Sequence, residues 1–222
     1  MKYIIMCGGN YPVWKKPRHL LPFLGEPIVA RTIRLLRENG IEDIAISTNR
    51  MDFGELGVPV IKHYNDYDAV AYNRSRGNWC DCFFLSDNPT CYLFGDVVFS
   101  EAAIHKIVDY ETDDIMLFGS KPPFHQDYPK RWIEPFAFKA QDIDHLYWAV
   151  EDVKKLDKAG RFRRRPIAWE VWNVITRGPD GDVNTIDYSS YEAINDWTCD
   201  IDKPEEIPIL EKIAERRQNH EL

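Results

Sequence analysis

The sequence contains no Cys-x-x-Cys pair, no histidine set at metal-ligand spacing, no internal repeat and no low-complexity linker. Its five cysteines, Cys7, Cys80, Cys82, Cys91 and Cys199, are an odd number. Cys80 and Cys82 stand too close together to begin an ordinary zinc site. Reduced thiols in a cytoplasmic protein are therefore expected, rather than a disulfide framework. Long hydrophobic runs are also missing. The N-terminal apolar run, Tyr3 to Cys7, is too short for a signal peptide or a membrane span, so no membrane association is expected. Cations are in deficit: 28 Lys and Arg face 36 Asp and Glu, a formal charge of −8. That argues against a broad basic surface for nucleic acid or anionic lipid, while leaving room for a local basic pocket around a small anion. Two phosphate-binding patterns are absent as well, Gly-x-x-x-x-Gly-Lys-[Ser/Thr] and Gly-x-Gly-x-x-Gly.

What is present is an alternation of strands and helices. Residues 2–6 read as an apolar strand covered on both faces. Pro27 precedes Ile28, Val29, Ile33, Leu35 and Leu36, spaced for an amphipathic helix that Asn39-Gly40 would cap. Residues 44–47, 58–61, 91–94 and 115–118 read as further strands, with helices over 73–86 and over 101–108. Ser100 is the expected N-cap of the latter. Such a pattern implies an α/β fold on a mainly parallel sheet, and a chain of 222 residues suits a single domain over 1–222. Beyond 119 the pattern loosens: a strand over 133–139, a charged exposed connection over 151–165, a short tryptophan-rich helix over 166–176 and a closing helix over 204–217.

Three constellations could carry chemistry. Cys7-Gly8-Gly9-Asn10 follows the first strand, and its glycines let backbone N–H groups approach phosphate oxygens; Lys15, Lys16 and Arg18 could offset polyphosphate charge. The same residues also read as a tight turn with solvated lysines. Gly95-Asp96 ends the strand 91–94, where a carboxylate suits a hard cation such as Mg²⁺ or merely completes a turn. In Asp200-Ile201-Asp202-Lys203-Pro204-Glu205-Glu206 the alternate aspartates share one side of an extended segment and could complete a metal site with Asp96. They equally suit a helix N-terminus.

Taken together, the three stretches resemble the nucleotidyltransferase superfamily. Residues 17–28, from Pro17-Arg18-His19-Leu20 to Pro27-Ile28, are similar to its "Pro-Lys-x-Leu-x-Pro-x-x-Gly-x-Pro" stretch; Leu93-Phe94-Gly95-Asp96-Val97 resembles its Gly-Asp metal motif; and residues 200–206 resemble its late "Asp-x-Asp-Thr-Pro-Glu-Asp" motif. The likeness is to the smaller cytidylyltransferase and sugar-phosphate nucleotidyltransferase members, including the phosphocholine cytidylyltransferase type, with His63-Tyr64-Asn65-Asp66-Tyr67 and Tyr72-Asn73 as further similar residues. Two departures stand out. The glycine loop is shorter than the family's, and Arg18 replaces a Lys.

The resemblance implies a three-layer α/β/α sandwich with a mainly parallel, mixed central sheet, GT-A-like and Rossmann-related. Residues 1–118 would form the nucleotide-binding half, and 119–222 the acceptor-binding half with the closing helix. It implies transfer of NMP from an NTP, with CTP or UTP expected, to a small phosphorylated acceptor. Cys7, Gly8, Gly9, Asn10 and Asn73 would bind the nucleotide; Lys15, Lys16 and Arg18 would serve the reacting phosphates; Asp96, Asp202 and Asp200 would hold Mg²⁺. A homo-oligomer is compatible with this reading. Two alternatives stay open: a GT-A glycosyltransferase, whose central Asp-x-Asp would have to be Asp142-Ile143-Asp144 or the late pair, and a non-catalytic nucleotide binder. Among weaker signals, Arg161 to Arg165 form a basic cluster, read as a solvated loop more readily than as a phosphate clamp. Trp132, Trp148, Trp169 and Trp172, with Glu134 and Glu170 nearby, could line an acceptor pocket, although core packing suits most of these tryptophans.

Overall fold

The computed structural model describes residues 1–8, 17–50, 52–63, 79–124 and 128–218. Gly9, Asn10, Lys15, Lys16 and Asn73 lie outside the described residues, as does the whole of the 64–73 segment. In chain order the elements are β1 (Lys2–Met6), β2 (Pro22–Phe23), β3 (Glu26–Pro27), α1 (Ile28–Glu38), β4 (Ile44–Thr48), β5 (Val60–Lys62), β6 (Thr90–Phe94), β7 (Val97–Val98) and α2 (Glu101–Asp109). There follow β8 (Ile115–Gly119), β9 (Pro135–Ala140), α3 (Ile143–Lys158), α4 (Ala168–Arg177), β10 (Glu192–Ala193), β11 (Cys199–Asp200) and α5 (Glu206–Gln218). Seven strands form one sheet in the order β10-β8-β9-β6-β1-β4-β5. Only β9 runs antiparallel to its neighbours in that sheet.

Alternation along the strands assigns the helices to two layers, because successive side chains point to opposite faces. Tyr92, Phe138 and Leu117 are register partners on one face, where Phe83 meets Tyr92 and Phe138, and Trp172 of α4 meets Phe138. Helix α3 packs on α4 in this layer. Cys91, Lys139 and Met116 occupy the other face. There Lys139 Nζ donates to the Ile107 and Val108 carbonyls at 3.0 and 2.7 Å, using the electronegative end of α2. Helix α1 packs on α2. The α/β fold on a mainly parallel sheet inferred from the alternating pattern is therefore present, in the layers that the resemblance implied. A smaller apolar cluster, including Phe23, Val98, Cys199, Ile201, Leu210 and Ile213, fastens α5 and the β7–β11 pair beside the sheet.

Local expectations largely hold. Ser100 caps α2, its Oγ accepting from Ala103 N at 2.9 Å. Gly40, at φ +77°, turns the chain out of α1 while Asn39 Nδ2 donates to the Leu35 carbonyl. Two expectations do not hold. The helix over 73–86 is replaced, among the described residues, by a 3-10 turn at Trp79–Cys82, where Trp79 packs edge to face on Phe83 and on Phe94 of β6. The charged connection over 151–165 is instead mostly helix α3, since Leu146, Val150, Val153 and Leu156 recur at helical spacing and are buried beneath the charges. Among the described residues no helix is long and apolar enough to cross a membrane.

Gly95 marks the tightest approach between strand ends. A Cβ there would lie 2.4 Å from Cys7 Sγ and 2.8 Å from the Met6 carbonyl oxygen. Gly95→Ala should therefore destabilise the fold by about 1–3 kcal/mol, the usual range for overpacking. A lowered urea midpoint at unchanged slope would show it. Gly54→Ala, where nothing lies within 4 Å, should leave the midpoint unchanged.

Candidate active site

The carboxyl edge of the parallel strands carries a pocket of about 210 Å³, lined by Met6, Gly8, Arg18, His19, Trp79, Cys82, Phe94, Asp96, Pro135, Ile167, Ala168, Asp200 and Asp202. The topology explains why these meet. Strands β1 and β6 end side by side, and Gly95 N donates to the Met6 carbonyl at 3.0 Å. The antiparallel β7–β11 pair then folds the late segment back, and Ile201 N donates to the Asp96 carbonyl at 2.9 Å. Asp96, from the middle of the chain, and Asp202, from its last part, thus reach one site. The apolar wall comes from Trp79 and Phe94, whose rings meet edge to face at 5.6 Å, and from the start of α4.

Arg18 links the two aspartates. It forms an ion pair with Asp96, and its Nη1 lies 3.4 Å from Asp202 Oδ1 and donates to the Ile201 carbonyl at 3.0 Å. Asp96 and Asp202 therefore present carboxylate oxygens to a single cationic group, and such hard oxygens suit a divalent ion of the Mg²⁺ type.

Behind them lies a second cation that the sequence did not flag. Lys130, 1% exposed, pairs with Asp200, with Glu134 Oε1 at 2.7 Å and with Asp202 Oδ2 at 2.9 Å, and approaches Glu206 Oε2 at 3.8 Å. Burial by itself would favour loss of its proton. Asp200, Glu134 and Asp202 outweigh burial and hold Lys130 above the ordinary lysine value. The surrounding carboxyls are fixed in turn. Glu134 Oε2 accepts from Tyr128 OH at 3.2 Å and from Asp200 N at 3.3 Å, and Glu206 Oε2 accepts from Asp202 N at 2.7 Å and Lys203 N at 3.0 Å.

The two late aspartates are electrostatically unlike. Burial, then Glu134, pushes the Asp200 carboxyl well above the usual carboxylate range. Burial would also raise Asp202, but Lys130 and then Arg18 override it and hold this carboxyl low. Asp202 is thus the better charged ligand, while Asp200 faces the buried cluster. The ligand atoms of Glu134, Cys199 and Asp200 lie within 4.8 Å of one another, yet Lys130 already pairs with the two carboxylates.

The other expected residues are placed as follows. Gly8 lines the pocket, with the His63 imidazole 3.1 Å from where a Cβ would stand. Cys7 is fully buried against Gly95; its N–H donates to the Ser47 carbonyl at 2.7 Å and its carbonyl accepts from Thr48 Oγ1 at 2.8 Å. It supports the strand end and does not line the pocket. Burial, then Asp96, raises its thiol well above the ordinary value. All five cysteines are buried, and none is in a disulfide. His19 is buried beside Asp96, and burial lowers its imidazole to about 4, so it is neutral at physiological pH.

Trp169 and Trp172 are core residues, whereas Trp132 and Trp148 are 56% and 61% exposed, so core packing explains only two of the four. Glu170 caps α4 by accepting from Ile167 N at 2.9 Å and pairs with Arg164 of the basic loop. Sequence reading missed Lys130 because, flanked by Pro129 and Arg131, it reads as a surface lysine. The Glu at i+4 was the one available signal.

No family model and no curated protein matches the chain. Solved structures do. A protein assigned as a glucose-1-phosphate thymidylyltransferase from Bacillus anthracis, in complex with sucrose, superposes with a TM-score of 0.59 at 19% identity, covering 96% of this chain and 94% of that one. HddC from Yersinia pseudotuberculosis gives a TM-score of 0.50 at 13% identity, covering 97% and 98%. At these identities the likeness establishes the fold.

Lys130→Met should strip the buried carboxyls of their counter-charge and destabilise the protein by about 3–5 kcal/mol at pH 7. In the variant Asp200 and Asp202 both lose the cation that draws their carboxyls down against burial, so the folded variant binds protons more readily than folded wild type. The deficit therefore shrinks as pH falls toward 5. Urea unfolding of both proteins at the two pH values checks the sign.

Proposed function

We propose that this chain is a nucleotidyltransferase that moves NMP from an NTP, CTP or UTP in particular, to a small phosphorylated acceptor, releasing pyrophosphate. The observation that carries the reading is the convergence of Asp96, Asp202 and Arg18 on one pocket at the carboxyl edge of an α/β sheet, where such folds bind ligands. The fold shared with a protein assigned as a glucose-1-phosphate thymidylyltransferase supports a sugar phosphate as acceptor; an alcohol phosphate is the other candidate. The glycosyltransferase alternative is weakened in the form that relies on Asp142. This residue caps α3 just after β9, and β9 runs toward the opposite edge of the sheet.

In this reading Asp96 and Asp202 hold Mg²⁺, and Asp202 serves best because Lys130 and Arg18 keep it ionised. Mg²⁺, when bound, offsets the charge on the reacting phosphates. Gly8 admits the polyphosphate close to the backbone, and Arg18 supplies a planar fork of donors to its oxygens. An acceptor phosphate oxygen attacks the α-phosphorus, the bond to the β-phosphate oxygen breaks, and pyrophosphate carries away the electron pair. The chain contributes position and electrostatics and forms no covalent intermediate.

Incubation with each of the four NTPs, Mg²⁺ and a panel of sugar and alcohol phosphates should release pyrophosphate for at least one combination. Asp96→Ala and Asp202→Ala should each lower that rate by about 100-fold or more. Full activity in both variants would refute the assignment.

A further inference from the structure

Arg18 stands in two competing places. The proposed function, on which this inference rests, needs its guanidinium at the polyphosphate and needs Asp96 and Asp202 at the divalent ion. In the structure that guanidinium instead occupies both carboxylates and is anchored by the Ile201 carbonyl at 3.0 Å. The two oxygens of Asp202 are divided between cations: Oδ2 lies 2.9 Å from Lys130 Nζ and Oδ1 lies 3.4 Å from Arg18 Nη1. Lys130 is buried within a cluster of four carboxyls and cannot readily leave. Arg18 lines the pocket, so it is the cation that an incoming ion can displace.

We propose that Arg18 is a counter-ion lock. Without ligand it fills the cation position between Asp96 and Asp202 and masks their oxygens. A polyphosphate, offering better-matched oxygens to the same fork, draws the guanidinium out and uncovers the metal ligands. A divalent ion conversely expels Arg18 toward the phosphates. Each ligand then raises the affinity of the other by the same factor, as linkage requires. Entry of either ligand alone has to break the Arg18 pairs, so the ion and the polyphosphate are taken up preferentially as one complex.

The test measures Mn²⁺ alone, by the electron paramagnetic resonance of the free ion, with wild type, Arg18→Gln and Arg18→Lys. A lysine keeps the charge but cannot fork between two carboxylates. Both variants should bind Mn²⁺ about tenfold more tightly than wild type, within the usual span of coupling between sites. Unchanged or weaker binding by Arg18→Gln would overturn the lock. So would tightening in Arg18→Gln with wild-type behaviour in Arg18→Lys, which would reveal a diffuse charge effect.

A second arm uses inorganic tripolyphosphate in EDTA, followed by calorimetry. Asp96→Asn should tighten its binding when Arg18 is present and lose that effect in the Arg18→Gln background. An equal effect in both backgrounds would count against the lock. Mn²⁺ binding by Asp96→Asn and Asp202→Asn separates the two levels. If both variants bind as wild type does, the metal assignment falls and the lock with it. If both lose Mn²⁺ while Arg18→Gln gains nothing, the lock alone falls.

Discussion

Lys130 is held between carboxyls contributed by the start of β9, by β11 with the residue pair that follows it, and by the start of α5. These segments have no regular hydrogen-bond ladder in common, and one ammonium with its carboxyl partners sets their mutual position. A buried ion pair is not by that fact stabilising, because desolvation can exceed the Coulomb gain. What it does supply is intolerance of alternatives: displacement of any partner leaves a charge uncompensated in a poorly hydrated interior. Asp202 inherits its place from this arrangement. One oxygen is tied to Lys130, and the backbone N–H of Asp202 is tied to Glu206, so the remaining oxygen faces the pocket side held by Arg18.

The second constraint is spatial. Asp96 can stand at the mouth of β6 only because Gly95 lets the chain pass within contact of Met6 and Cys7 at the end of β1. The glycine is needed for close backbone approach rather than for an unusual φ. Cys7 completes that junction as a small apolar filler, which is why a residue expected at the nucleotide became part of the wall behind it. The strand ends, the β7–β11 pair and the Lys130 cluster thus act in sequence: the first fixes Asp96, the second brings the late segment alongside, the third orients Asp202.

Much of the sheet was legible because its strands are short apolar runs bounded by turn residues, and Asp96 and Asp202 were legible because each sits in a compact motif. Lys130 was not, since its partners come from three separate places and nothing local distinguishes it from a solvated lysine. Helix α3 was misread for the opposite reason. Its charges at Glu151, Asp152, Lys154 and Lys155 are conspicuous, and the buried Val153 and Leu156 beneath them are recognised only by continuing the spacing from Leu146. The stretch that holds Trp79 and Phe83 likewise looks helical in sequence. Among the described residues it is a short 3-10 turn, and Trp79 meets Phe83 and Phe94 edge to face as it walls the pocket.

A protein of net charge −8 would ordinarily repel a polyphosphate. Around this pocket, Asp96, Glu134, Asp200, Asp202 and Glu206 share Arg18 and Lys130 as their cations. Burial and Glu134 shift Asp200 toward its neutral form, which lessens the imbalance. Among the described residues these carboxylates outnumber Arg18 and Lys130, so a bare polyanion would meet a locally negative wall. A polyanion that arrives with its own divalent ion reverses that sign, because the ion satisfies Asp96 and Asp202 and releases Arg18 to the phosphates. On the proposed function, the acidity around the site selects the metal-bound form of the nucleotide. Arg18 is the residue through which that selection acts.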